Sequence, residues 1–136
     1  MKKVLLIGVI LLVAIGCRGY KEKKHEPMSP EELKVSDLAQ QLESQSEQLN
    51  SEKFKDELSE LNERASRFRN ACLRFGSNSL EARSAFDRLY YQAAQISSNL
   101  NEQTDPQLYS QWEKIRTGAL MQIAEILGYK PEKTDQ

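Results

Sequence analysis

FKDELSELNERASRFRNACLRF, residues 54–75, is the stretch that decides the fold. Its apolar residues recur at alternating intervals of four and three, which is the spacing of one buried helix face. The members of this stripe are Phe54, Leu58, Leu61, Ala65, Phe68, Cys72 and Phe75. Charged and amide side chains that suit a solvated surface fill most of the positions between them. The stretch therefore predicts a long amphipathic helix that needs partners to cover its apolar face.

Two further stripes with the same spacing follow toward the C-terminus. The first consists of Ala82, Phe86, Leu89, Ala93, Ile96 and Leu100, and the second consists of Leu108, Trp112, Ile115, Ala119, Ile123 and Ile126. Gly76 is a predicted C-cap, Asn78 is the predicted N-cap of the next helix with Glu81 three residues on, and Asp105 precedes the last helix, which Gly128 ends. The turns are short, so consecutive helices are expected to run antiparallel.

A more polar helix is predicted ahead of these three. Ser29 is placed as its N-cap, Pro30 as its first residue and Glu32 as the partner in a capping box. Its stripe is thin, with Gln45 interrupting Val35, Leu38, Leu42 and Leu49. The pattern then shifts phase, which fits either a break at residues 50–51 or a change of supercoil in one continuous helix.

The predicted fold class is all-α, because no stretch combines alternating β-branched residues with hairpin turns. The expected architecture is a small antiparallel helical bundle over residues 30–128, with a loose tail at 129–136. Three main helices bury one another, and the polar first helix either packs as a fourth member or extends as a coiled-coil-like stalk. We favour the extension, because that helix carries so few apolar residues.

The first 16 residues have the layout of an export signal. Met1-Lys2-Lys3 is a short positive start, and residues 4–16 form an almost unbroken apolar run. A membrane-spanning helix needs about 20 apolar residues, and this run is shorter and is followed by Arg18 and by lysines. The segment therefore predicts a signal peptide rather than a transmembrane helix.

The end of that segment, Ala14-Ile15-Gly16-Cys17, resembles the lipobox of bacterial lipoproteins. The resemblance covers only the signal, and no family is recognised in the rest of the chain. It implies cleavage before Cys17 and acylation of that residue, including palmitate-type chains, so that Cys17 is a membrane anchor. Because Arg18 rather than Asp follows, the resemblance favours the outer membrane, facing the periplasm, over the inner membrane. Residues 17–29 are then a flexible tether.

No catalytic, metal or cofactor site is expected. His25 is the only histidine and lies in the tether without a second ligand at metal spacing. Cys72 falls on the apolar stripe with no histidine to activate it, which predicts a buried structural thiol. Phosphate-binding and hydrolase motifs are missing from the sequence, and the net charge of −1 gives no basic surface for nucleic acid.

A partner surface is predicted from Arg83, Arg88, Tyr90 and Tyr91, since Arg and Tyr are enriched at interface hot spots. The alternative interpretation is that the arginines only form ion pairs on the helix surface. Other aromatic residues with polar tips suit either an interface or an apolar ligand groove, or they cap the core. These are Tyr109, Trp112 and Tyr129.

The function expected from these features is that of a membrane-anchored, non-catalytic lipoprotein that binds an envelope protein or assists envelope assembly. Small helical lipoproteins called pilotins offer an analogy in size and anchor only. One alternative is a helical carrier of a lipid or other apolar ligand, which needs a cavity of roughly 300 Å³ or more. Another is an immunity or exclusion lipoprotein. Self-association through the helices is a further expectation.

Overall fold

A computed structural model describes residues 29–129, and every described element is helical. The helices are α1 (Pro30–Glu47), α2 (Lys55–Phe75), α3 (Leu80–Asn99), α4 (Pro106–Ile115) and α5 (Met121–Leu127), with a π-helical segment, Arg116–Leu120, between the last two. We call α4, the π segment and α5 together the C-terminal helix. The all-α bundle is confirmed. The signal, Cys17, the tether up to residue 28 and the tail from residue 130 lie outside the described residues.

The first helix begins as the sequence predicts. Ser29 Oγ accepts a hydrogen bond from the Glu32 backbone N–H at 3.2 Å, and the Glu32 carboxylate accepts from the Ser29 N–H at 3.1 Å. Both bonds satisfy N–H groups that a helix start leaves without partners inside the helix. The helix ends at Glu47, so the phase shift is a break rather than a continuous helix.

The expectation that α1 extends as a stalk is wrong, because it packs as a fourth member of the bundle. Its backbone approaches both α2 and the C-terminal helix. Its buried residues are Val35, Leu38, Ala39, Leu42 and Ser46. The small residues Ala39 and Ser46 widen the buried face, and Ser46 Oγ accepts from Asn62 of α2 at 3.1 Å. A stripe counted only in large apolar residues misses this contribution.

Helices α2 and α3 form the most extensive contact between described helices. The predicted stripes of α2 and α3 are buried with one exception, Phe75, which is 44% exposed at the end of α2. The Phe68 and Phe86 rings meet with their centroids 5.1 Å apart. Gln92 reaches across from α3 to donate to the Glu57 carbonyl at 3.2 Å. Dense apolar burial on both helices makes this the tightest side of the bundle.

The turn between α2 and α3 corrects one predicted cap. Gly76 ends α2 with φ of 93° and donates to the Cys72 carbonyl, as its conformational freedom allows. The N-cap of α3 is Ser79 rather than Asn78, since Ser79 Oγ accepts from the Ala82 N–H at 3.0 Å. Ser79 Oγ also donates to the Gly76 carbonyl at 2.6 Å. The Ser79 hydroxyl thus bonds both to the end of α2 and to the start of α3, in place of the cap predicted from Asn78 and Glu81.

The C-terminal helix starts and ends where the sequence indicates. Asp105 caps it by accepting from the Leu108 N–H at 3.1 Å, and Gly128 ends it in the left-handed conformation, with φ of 67°. Between these caps the apolar stripe slips by one residue: Leu120 and Leu127 are buried, and the predicted Ile126 is only half-buried. The slip follows the π segment, which inserts extra backbone into the helix.

The two ends of the bundle differ in composition and bonding. The distal end holds the α1–α2 and α3–α4 loops, where Ser51 donates to the Asp105 carboxylate at 2.7 Å and Lys53 donates to the Thr104 carbonyl at 2.7 Å. The proximal end holds the start of α1, the α2–α3 turn and the end of α5. The described chain therefore begins at the proximal end.

Candidate docking groove

A groove of about 590 Å³ runs between α3 and the C-terminal helix. We call it the α3 groove, and it opens to solvent on one side. Its lining is mainly apolar and aromatic, with polar side chains toward its rims. The residues that line it are Tyr90, Ala93, Ala94, Ser97, Ser98, Leu100, Asn101, Tyr109, Glu113, Arg116, Leu120, Met121 and Ala124.

The groove exists because the α3 backbone stays farther from the C-terminal helix than from α2. Two small residues of α3, the buried Ala93 and the exposed Ala94, line this space and leave room between the two walls. Elsewhere in the bundle, alanines such as Ala65 and Ala82 are fully buried by close helix approach. The same residue type thus fills a tight interface on one side of α3 and leaves a depression on the other.

Side-chain contacts join the two walls at the ends of the groove. Toward the distal end, the Trp112 indole N–H donates to Ser97 Oγ at 2.9 Å. Toward the proximal end, the Tyr129 hydroxyl donates to the Asp87 carboxylate at 2.6 Å. The Tyr129 ring also packs on Tyr90, with centroids 4.8 Å apart, and edge-on against Phe86 at 5.3 Å. These contacts fix the separation of the walls without closing the space between them.

The π segment lies in the wall of the groove, to which it contributes Arg116 and Leu120. Inside it, Gly118 departs from helical geometry with φ of −99° and ψ of −105°. Short π segments inserted in α-helices occur frequently at functional sites, because they redirect side chains at a cost to regular hydrogen bonding. The irregular part of the C-terminal helix therefore coincides with the groove.

An ion pair marks the rim on the C-terminal helix. Arg116 donates two hydrogen bonds to the Glu113 carboxylate, at 2.6 and 2.9 Å, and these bonds hold the pKa of Glu113 below its usual range. The pKa of Arg116 is raised, chiefly by the same hydrogen bonding and to a smaller extent by the nearby Tyr109 and Tyr90 side chains. Two tyrosines and a charged pair thus sit close together at this rim.

The four residues predicted as a partner surface do not line a common groove, and their role in binding a partner stays a prediction. Tyr90 lies in the α3 groove, whereas Arg88 lines a second groove of about 450 Å³ between α2 and α3. Tyr91 is 61% exposed and lines neither groove, and Arg83 is also exposed outside both. The helical twist separates Arg88 from Tyr90, which lie two residues apart, whereas Arg83 and Tyr90 share a face of α3 because they lie seven residues apart.

The second groove is richer in charge. Arg64 pairs with Glu60 at 2.7 Å and donates to the Arg88 carbonyl at 3.1 Å, and Arg67 pairs with Glu63. Arg64 and Arg67 therefore form ion pairs on the helix surface, the kind of contact that was the alternative interpretation for Arg83 and Arg88. Such exposed pairs contribute little stability. Three arginines and two glutamates line this groove, together with Leu80, Ser84 and Ala85.

Cys72 is buried, as predicted, with 1% of its surface exposed. Burial raises the pKa of its thiol to about 12, so the thiolate needed for nucleophilic chemistry is not formed near neutral pH. Within residues 29–129, no three His, Cys, Asp or Glu side chains are grouped to hold a metal ion. His25 and Cys17 lie outside the described residues.

Sequence reasoning singled out Tyr90 and Tyr109 but missed most of the groove. Ala94, Arg116 and Leu120 belong to it, and each looks ordinary in a heptad count. The one signal available was Gly118, a glycine in the interior of a predicted helix away from any boundary. Gly118 indicated that the last helix is irregular at this point, but the sequence pattern did not show that a groove lies beside it.

No family model, curated protein or solved structure matches this chain. In the part of the chain that is described, none of the helices is long and apolar enough to cross a membrane.

Proposed function

We propose that this protein is a lipid-anchored, non-catalytic docking module of the bacterial cell envelope, and that the α3 groove binds an amphipathic helix of an envelope protein. The anchor is Cys17, on the lipobox-type sequence 14–17, and the outer membrane facing the periplasm is its proposed location. The docking element is the described bundle. No cofactor or nucleic acid has a part in this function.

The observation that carries the docking proposal is the α3 groove itself. A helix that lays its apolar face into a groove needs an apolar floor and hydrogen-bonding groups along the rims. Met121, which is 41% exposed, and the exposed Ala94 supply apolar surface, while Ala93 and Leu120 line the groove as buried residues. Ser98 and Asn101 supply polar groups at the rim.

The open side of the groove favours a polypeptide over a small ligand. Pockets for small molecules bury most of the ligand surface, whereas a bound helix keeps its polar face in solvent. Tyr90 and Tyr109 also suit a protein interface, because each offers an apolar ring and a polar tip at a low entropic cost.

The anchor is tested by fractionating cells that produce Cys17→Ala. The variant should leave the membrane fraction, because each buried acyl methylene contributes about 0.8 kcal/mol to membrane binding. The wild-type protein should stay with the membranes, and metabolic labelling should show fatty acid on it alone. Equal membrane retention of both proteins would refute the lipid anchor.

The docking site is tested with two Trp substitutions on opposite sides of α3. Ala94→Trp fills the α3 groove, while Ser84→Trp places the same ring at the α2–α3 groove. The envelope protein that copurifies with the wild type should be lost from Ala94→Trp and kept by Ser84→Trp. The purified pair should show the same pattern. Loss from Ser84→Trp alone would move the docking site to the other groove.

A lipid carrier is the second candidate, and the groove volume favours it. The α3 groove, at about 590 Å³, exceeds the roughly 300 Å³ that carriers require. Mass spectrometry of solvent extracts from the folded Cys17→Ala protein separates the two functions. A stoichiometric lipid present in that protein and absent from its Ala94→Trp form would favour the carrier over the docking module.

A further inference from the structure

Exposed apolar side chains are concentrated at the proximal end of the bundle. Six large hydrophobic residues are exposed among the described residues, and four of them lie within about one turn of that end. These four are Leu33 in the first turn of α1, Leu73 and Phe75 in the last turn of α2, and Leu80 at the start of α3. Leu80 is 81% exposed. Single exposed leucines are ordinary, but a group of them at one tip marks an interaction surface.

The distal end has the opposite character. Its apolar residues Phe54 and Leu100 are buried, while its surface is polar and hydrogen-bonded, as the Ser51–Asp105 and Lys53–Thr104 contacts show. A bundle end that faces only solvent is expected to be polar, as the distal end is. The exposed apolar residues of the proximal end therefore favour a binding partner that contacts this end alone.

The place where the described chain begins identifies that partner. Ser29 is at the proximal end, and only 11 residues separate it from Cys17. Such a segment reaches at most roughly 40 Å when fully extended. If Cys17 carries the anchor, the proximal end is the part of the bundle held nearest to the lipid.

We infer that the α2–α3 turn rests on the membrane surface, with Phe75 and Leu80 entering the headgroup region. This inference rests on the proposed lipid anchor. Arg74, whose guanidinium lies 5.5 Å from the Phe75 ring centre, can reach phosphate groups while its stem stays on apolar surface. Glu31 and Glu81 lie at the same end, so apolar insertion, rather than net charge, provides the attraction.

This contact gives the bundle an orientation. The helices then stand away from the membrane, and the α3 groove runs from the lipid surface toward the distal loops. A partner helix entering that groove approaches along the membrane normal or from the aqueous side. The turn would act as a second, weaker membrane contact that restrains how the bundle swings on its tether.

The test uses the lipidated full chain reconstituted in vesicles of phosphatidylethanolamine and phosphatidylglycerol. A fluorophore is attached at Asn78→Cys in the turn or, as the control, at Gln103→Cys in the distal loop, since both positions are exposed and Cys72 is buried. Lipids carrying a nitroxide quencher in the acyl chain should quench the probe at 78 several-fold more than the probe at 103. Phe75→Ser with Leu80→Ser should bring the two signals to the same level.

The outcomes separate the inference from the anchor. Protein that floats with the vesicles but shows equal quenching at both positions keeps the anchor and overturns the membrane contact. Protein that does not float overturns both. Turn probes that are shielded from water only in dimers, with no lipid quenching, would overturn the inference in favour of a second copy of the chain.

Discussion

The two sides of α3 are built from similar residues but pack differently against their neighbouring helices. Toward α2, aromatic and aliphatic side chains interlock, with Phe68 and Phe86 at 5.1 Å and Ala65 and Ala82 fully buried. Toward the C-terminal helix, the contact depends on a few side chains such as Tyr129 and Trp112, and a groove of about 590 Å³ remains. The α2 side is packed as a core beneath a surface groove of about 450 Å³, whereas on the other side the α3 backbone stays farther from its neighbour and leaves the α3 groove between them.

This difference shows how a small domain can combine stability with a binding surface. The α2–α3 side and the buried face of α1 supply the apolar burial that offsets chain entropy. That frees the opposite side from the need for close packing. The π segment in the groove wall fits this division, since an irregular helix is tolerated where the remainder of the core is sound.

The largest loss of stability should come from truncating a side chain on the side of α3 that packs against α2, which we call the closed side. Phe68→Ala removes a fully buried ring and should lower the free energy of unfolding by about 3–5 kcal/mol. Met121→Ala in the groove should cost less than about 1 kcal/mol, because that side chain is partly solvated. Chemical denaturation of both variants measures the contrast. Equal losses of stability in the two variants would contradict the difference in packing between the two sides of α3.

Replacing an alanine by the larger leucine should lower stability on the closed side of α3 and have little effect in the α3 groove. Ala65→Leu forces extra methylenes into a filled core and should cost about 1–3 kcal/mol. Ala94→Leu adds the same atoms to the open groove and should change stability by less than about 0.5 kcal/mol. Thermal melts compare the two variants. A strongly destabilised Ala94→Leu would mean that the groove closes in solution.

A smaller effect is expected at the distal end of the groove. Ser97→Ala removes the acceptor of the Trp112 indole N–H and should cost about 1 kcal/mol. Ser98→Ala is the matched control, since that hydroxyl bonds only within its own helix, to the Gln95 carbonyl. Denaturation measures stability, and Trp112 fluorescence reports the local change. Identical behaviour of both variants would show that Ser97 does not hold the walls.

The smallest effect at neutral pH concerns Cys72 on the closed side. Its pKa is raised to about 12 by burial, while an unfolded thiol ionises near its usual value of about 8.5. Above that lower value the unfolded state holds fewer protons, so stability should fall as pH rises, by up to about 1.4 kcal/mol per pH unit. Unfolding curves of wild type and Cys72→Ala from pH 7 to alkaline values test this. Parallel pH profiles would contradict a buried thiol.

The sequence predicted most of the fold because helix caps and apolar stripes are local signals. Ser29, Asp105 and Gly128 end or start helices where expected, and the stripe of α3 is buried throughout. The packing of α1 was missed because Ala39 and Ser46 bury surface without looking apolar. Ser79 displaced Asn78 as a cap because only the folded turn shows which side chain faces the free N–H groups.

The candidate site could be predicted only in fragments. Tyr90 and Tyr109 were visible as aromatic residues with polar tips, but the groove depends on how far apart two helices settle. That distance is a tertiary property, set by the Trp112–Ser97 contact and by the π segment. Arg88 and Tyr91 were grouped with Tyr90 on sequence proximity, and the helix separates them.

Site-specific photo-crosslinking in living cells tests whether the α3 groove is the docking site. A photoreactive amino acid replaces Met121 in the α3 groove or, as the control, Tyr91, which is exposed outside it. Docking in the α3 groove predicts one discrete adduct with an envelope protein from position 121, absent from position 91 and abolished by Ala94→Trp. An adduct from position 91 but not from 121, or one that survives Ala94→Trp, would contradict docking in the groove.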